Sequence, residues 1–181
     1  MKKFLTWLAA ILLASGLGIV VQAPASAAPY CGLTWGSLAK TGQDTGTASV
    51  TNVRTGQHYC FDRLVVDLNG PAVSYTVQYV PRIEQEGSGA FIPVRGGARL
   101  HISIKAPSYD QNGNPTYNPA DKAELSNVAG YQTFRQVVSA GSFEGYTSLG
   151  LGVRARLPFR VFTLAGPGPG SRLVIDVAHY W

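Results

Sequence analysis

The sequence predicts an all-β fold, a two-sheet β-sandwich built from two duplicated four-stranded units with little helix. Three observations lead there. Short alternating runs rich in Val, Ile, Tyr and Phe recur between clusters of Gly, Pro, Asn and Asp; no long stretch places apolar residues at helical spacing; and one part of the chain lies on another at a constant offset.

Taken in order, the predicted strands are 48–54, 59–68, 75–80, 99–104, 134–139, 148–153, 159–164 and 172–178, with most of the 21 glycines and 11 prolines between them. At an offset of 84, "VTNVRTGQHYCFDRLVVDLNGPAVSYTVQYV" (50–80) lies without a gap on "FRQVVSAGSFEGYTSLGLGVRARLPFRVFTL" (134–164). Apolar residues then meet at Val50 and Phe134, Val53 and Val137, Val65 and Leu149, Tyr75 and Phe159, and Val77 and Val161. The fourth strand recurs at an offset of 73, "ARLHISI" (98–104) on "SRLVIDV" (171–177), the second connection being 11 residues shorter. The counterpart of "RLVIDV" is therefore "RLHISI", not the similar "RLVVDL" at 63–68. A four-stranded unit with one oily face cannot leave that face in water, and laying it against its twin gives a sandwich with a core about 10 Å thick. Residues 105–130 link the copies, and "NPADKAEL" predicts a helical turn over 119–125 with Asn118 as its cap and Pro119 at the first helical position.

The N-terminus sets the compartment. Lys2 and Lys3, an uncharged apolar run from Phe4 to Val21 and the small residues Ala25-Ser26-Ala27 form an export signal, residues 1–27. The mature chain from residue 28 then has no membrane span. It keeps 13 basic and 10 acidic residues, a modest positive balance without the Lys/Arg run a nucleic-acid groove needs. Cys31 and Cys60 are the two cysteines, and an oxidising compartment makes them one disulfide, worth about 3–4 kcal/mol of unfolded-state entropy. That bridge ties an N-terminal segment, 28–49, to a domain over 50–178.

The strands "RLVVDLNGP", "YTVQYV" and "RLHISI", repeated as "LGLGV", "PFRVFTL" and "RLVIDV", resemble the AMIN domain and more closely its secreted AMIN-like relatives. The resemblance covers roughly 50–178. It implies an all-β fold of two related four-stranded sheets, no catalysis, and a place in the bacterial cell envelope with peptidoglycan as ligand. The chain departs from that pattern at Gly150 and Gly152, which the gapless alignment sets against Val66 and Leu68.

Catalytic signatures are missing: there is no H-E-x-x-H, no G-x-S-x-G and no phosphate-cradling glycine loop. His58, His101 and His179 read as structural or surface residues, and Asp62, Asp67 and Asp176 as outward strand residues or salt-bridge partners rather than acid/base pairs. Asp110, Asn112, Asn114 and Asp121 imitate a calcium loop, but Pro115 stands where the sharp turn needs glycine, so a turn at Asn112-Gly113 is expected, with no metal or cofactor. The expected binding residues lie in the second copy: Arg154, Arg156 and Arg160 as donors to carboxylates or phosphates, and Tyr146 to stack on a sugar ring. The function expected is a secreted, non-catalytic envelope module whose partner is a wall polymer or an envelope protein. A carrier of a small apolar ligand between the sheets is the second reading.

Overall fold

The computed structural model describes residues 30–166 and 168–181. The expected export signal lies outside them. The strands are β1 (Lys40–Thr45), β2 (Val50–Gln57), β3 (Phe61–Leu68), β4 (Val73–Val80), β5 (Ile83–Glu84), β6 (Phe91–Ile92), β7 (Ala98–Ile104), β8 (Phe134–Phe143), β9 (Tyr146–Val153), β10 (Phe159–Ala165) and β11 (Ser171–Ala178). All eight predicted strands are present. Two antiparallel sheets form the sandwich, sheet A in the order β10-β11-β3-β2 and sheet B in the order β1-β4-β7-β9-β8, with β5 and β6 a separate hairpin.

The duplication is written in the pairing register. β2 pairs with β3 through a bulge between Val50 and Asn52, and β8 pairs with β9 through a bulge between Phe134 and Gln136, 84 residues on. Tyr75 faces Ile104 in the β4–β7 pair, and Phe159 faces Val177 in the β10–β11 pair, offsets of 84 and 73. Leu68 faces Ser171 and Val153 faces Ala98, which sets β9 on β3 at 85 rather than 84. One inserted residue at the second bulge of β8, between Ser139 and Gly141, and one fewer residue between β9 and β10 therefore correct the gapless alignment. Leu149, Leu151 and Val153 match Leu64, Val66 and Leu68, all inward and buried, and the glycines match outward Val65 and Asp67.

A copy does not form its own sheet. Sheet A joins β2–β3 of the first copy to β10–β11 of the second, and sheet B joins β4–β7 to β8–β9, so each sheet is half of each copy. The order β2-β3-β11-β10 becomes β8-β9-β7-β4 when the copies are exchanged, and β1 is an addition at the β4 edge. The seams between copies, β3–β11 and β7–β9, occupy the middle of the sheets.

Alternation on these central strands makes the core. Leu64, Val66, Leu173, Ile175 and Val177 of sheet A face Leu100, Ile102, Ile104, Leu149 and Leu151 of sheet B, with Phe134 and Phe159 also fully buried. Each such side chain contributes roughly 1.5–3 kcal/mol. Clefts among the described residues lie on outer faces, at strand edges and under loops. Tyr79 pins the turn between β9 and β10, donating to Leu157 O (2.7 Å) and accepting from Leu157 N (3.0 Å), and burial pushes its pKa up to about 12.

The expected helical turn over 119–125 is absent. Its backbone bonds the edge of β8 instead, Leu125 N to Val137 O (2.9 Å) and Ser139 N to Lys122 O (2.8 Å), covering an edge that would otherwise be open. The N-terminal segment bridges both sheets: Gly36 pairs with Phe159 of sheet A, and β1 then pairs with β4 of sheet B. Cys31 and Cys60 form the disulfide that fastens its start, with Cα atoms 6.3 Å apart.

Residues 81–97, the longer loop of the first copy, fold back over sheet B. Ile83 and Val94 pack there on Val138 and Ala140 in a second small core. Gly150 and Gly152 make the room. A Cβ at Gly150 would sit 2.8 Å from Val138 Cγ2 and 2.9 Å from Ile83 Cγ1, and one at Gly152 would overlap the Arg95 carbonyl oxygen. Gly152→Ala should therefore lift the 81–97 flap and cost about 2–4 kcal/mol in urea unfolding, as overpacking against backbone does; a loss under about 0.5 kcal/mol would mean the flap is not held on this face.

Candidate functional site

Sheet B keeps its outer face partly under the flap, whereas sheet A presents an open one. The antiparallel register sets the open face out as rows. Arg160, Asp176 and Arg63 align across β10, β11 and β3; two residues on come Phe162, Val174 and Val65; two further come Leu164, Arg172 and Asp67. The first and third rows are four residues, or about 13 Å, apart.

The first row is an ion triad. Asp176 is fully buried and takes Arg63 Nε at 2.6 Å and Arg63 Nη2 at 2.9 Å, while Arg160 reaches it through Nε at 2.8 Å and Nη2 at 2.7 Å. Two guanidiniums sharing one carboxylate leave one net positive charge. Both lie among aromatic faces: Arg160 is 5.5 Å from the ring centre of Trp35, 5.3 Å from Phe61 and 5.0 Å from Phe162, and Arg63 is 5.1 Å from Phe61 and 5.5 Å from Phe162. Such stacking holds each guanidinium flat. Trp35 is fixed by its Nε1–H to Tyr30 O (2.8 Å), and Tyr30 precedes the disulfide at Cys31, so the bridge also positions an aromatic wall of the site. His58 stacks on Phe61 at 4.6 Å, and Tyr59 beside it is 96% exposed.

The two similar motifs, "RLVVDL" and "RLVIDV", are neighbours in this face. Each carries Arg and Asp four residues apart, and their antiparallel register places Arg63 opposite Asp176 and Arg172 opposite Asp67. Equal spacing on antiparallel strands makes the pair self-complementary.

The expected binding residues divide between the two faces. Arg160 belongs to the triad. Arg154 and Arg156 stand at the same end of the sandwich, Arg154 donating to His179 O and lying over the Tyr180 ring (5.9 Å), Arg156 donating to Ser37 O (3.2 Å) and lying over Tyr79 (4.9 Å). Both remain exposed. Tyr146 is on the outer face of sheet B, in a cleft of about 240 Å³ with Ser103 and Lys105, and the offset of 85 makes it the counterpart of Phe61. Arg63, Asp176, Phe61 and Phe162 were not expected as site residues, and their outward parity in "FDRLVVDL", "RLVIDV" and "PFRVFTL" is the signal that marks them once the register is known.

The other polar residues are structural in their contacts. Asp62 is not outward: it is fully buried, its Oδ2 accepts Thr133 N (2.6 Å) and Phe134 N (2.9 Å), and Oδ1 lies 3.1 Å from His179 Nε2. This carboxylate ties the start of β8 and the C-terminal segment to β3. Tautomerically, a proton on His179 Nε2 gives Asp62 its third donor. His101 lies under the flap beside Glu84 and Glu86, in a cleft of about 310 Å³; burial lowers its pKa against the opposing pull of the two glutamates. Asp110 accepts Asn112 N, Asn114 N and Asn114 Nδ2 in a turn with Gly113 at φ +83°, bonds that hold its pKa down. Among the described residues no His/Cys/Asp/Glu group is arranged to hold a metal.

Replacing the buried acid separates the triad from the exposed pair. Asp176→Asn should cost about 2–4 kcal/mol, because two partly covered guanidiniums lose their carboxylate, while Asp67→Asn, which breaks the exposed contact with Arg54, should cost under about 1 kcal/mol. Equal losses in urea unfolding would contradict this division.

A family model described as AMIN-like domain matches residues 48–179 of the chain. No curated protein and no solved structure matches it.

Proposed function

This chain belongs to the AMIN-like domain family, a family of non-catalytic modules of the bacterial envelope, and from that premise we propose that it is an exported module that holds an anionic wall polymer, such as peptidoglycan, on the outer face of sheet A. The observation that carries the proposal is the Arg160–Asp176–Arg63 triad inside its aromatic frame. Guanidiniums held flat keep their outer N–H groups in a plane that matches carboxylate or phosphate oxygens, and little freedom is lost when the polymer docks. Half-buried Trp35, Phe61 and Phe162 add apolar surface beside those donors, and exposed Arg154 and Arg156 extend the positive edge towards Tyr180 and Trp181.

Several other features agree with an envelope location. The disulfide suits an oxidising compartment, and no helix among the described residues is long and apolar enough to cross a membrane. The N-terminal signal at 1–27 supplies the export the proposal requires.

Co-sedimentation with purified peptidoglycan is the test. Retention should fall at least tenfold in the double variant Arg63→Gln/Arg160→Gln, weaken with Arg154→Ala/Arg156→Ala, decline with rising salt, and stay unchanged in Tyr146→Ala on the opposite face. Undiminished retention in the Arg63→Gln/Arg160→Gln variant, with the fold intact by circular dichroism, would remove sheet A as the binding face.

A further inference from the structure

The third row of the same face contains a guanidinium without its register partner. Arg172 stands opposite Asp67 across the β3–β11 seam, as Arg63 stands opposite Asp176. Asp67, however, is held by Arg54 from the edge strand β2, with Nε to Oδ2 at 2.8 Å and Nη2 to Oδ1 at 2.9 Å, so both carboxylate oxygens already have a donor. Arg172 keeps one contact, Nη2 to Ala165 O at 2.6 Å, and its Nε is buried with no partner among the described residues. A buried donor of a permanent cation left without an acceptor costs free energy, and a water or ion from outside the chain can supply that acceptor.

Space for one is present. Arg172 lines a cleft of about 600 Å³ at the far end of the face, walled by Thr51, Asn69, Gly170 and Ser171 and shared with the Arg54–Asp67 pair. The charges on its lining are two guanidiniums and one carboxylate, a net of +1. Arg54 is about half exposed and presents its remaining nitrogen, Nη1, beyond the pair. Asn69, which lines the cleft, uses its side-chain oxygen to accept Ser49 N (2.7 Å), leaving its amide NH₂ as a neutral donor.

We infer that this cleft is an oxyanion site, anchored by Arg172, for a phosphate or carboxylate group. It does not depend on the wall-polymer reading, since any solute or polymer carrying such a group would fit it. Together with the triad it would give the face two anion contacts about 13 Å apart along the strands, separated by the apolar row Phe162, Val174 and Val65.

The test uses ¹⁵N-labelled protein titrated separately with inorganic phosphate, acetate and chloride at matched ionic strength, following the Arg172 Nε resonance and the amides of residues 170–172. Saturable shifts with phosphate, with acetate or with both, but not with chloride, support the site and tell which group it prefers. Arg172→Gln should weaken that binding at least tenfold. Arg54→Gln should weaken it as well, because it frees Asp67 to take Arg172, and it serves where Arg172→Gln fails to fold. Shifts no larger than those of chloride, or an affinity unchanged in both variants, overturn the inference. Peptidoglycan retention that still depends on Arg63 and Arg160 would survive that result, so the two failures are separable.

Discussion

The two antiparallel seams, β3 against β11 and β7 against β9, are the constraint on which everything else rests. Each joins one copy to the other in the middle of a sheet. They set the inner faces, because the side chains that fill the core come mainly from these four strands. They also set the outer face of sheet A, because the register that seats Leu64 beside Ile175 inside necessarily seats Arg63 beside Asp176 outside. Core and site are two sides of one hydrogen-bond ladder, and a slip of one residue would turn both inside out.

A duplicated chain that exchanges hairpins between sheets starts with two equivalent faces, and here they have diverged. The first copy has the longer third connection, residues 81–97, and that length lets it fold over sheet B. Sheet B accommodates it with Gly150 and Gly152, where sheet A has Val65 and Asp67. The positions of the triad carry hydroxyls in sheet B: Arg160, Asp176 and Arg63 correspond to Thr76, Ser103 and Ser148. One face has acquired a cover and neutral groups; the other has kept its surface and a set of guanidiniums.

Much of this was legible in the sequence. Alternation found the eight strands of the repeat, and the even cysteine count in a chain expected to be exported pointed to the disulfide. The polar strand β1, "KTGQDT", was not legible, because its pairing with β4 is made by backbone and its side chains show no apolar alternation. The one-residue slip between β3 and β9 escaped because Leu64 and Val65 are both apolar, so either satisfies a match to Leu149. Which hairpin joins which sheet depends on long-range pairing that no local pattern encodes. The same gap hid the site: Arg63 and Asp176 are 113 residues apart, and only the register brings them together. Asp62 was misplaced for a related reason, since an acid at the start of a strand reads as outward unless the buried amides of Thr133 and Phe134 are known to need it.

The exchange of hairpins is tested most directly by dividing the chain in the exposed turn at Asn112-Gly113. Fragments 28–112 and 113–181 would be prepared separately and mixed, and their amide spectra compared with that of the intact protein. Because each sheet takes strands from both fragments, neither should give a dispersed spectrum alone, and an equimolar mixture should recover the native one. A fragment that folds by itself into a stable four-stranded sheet would contradict the inter-copy seams.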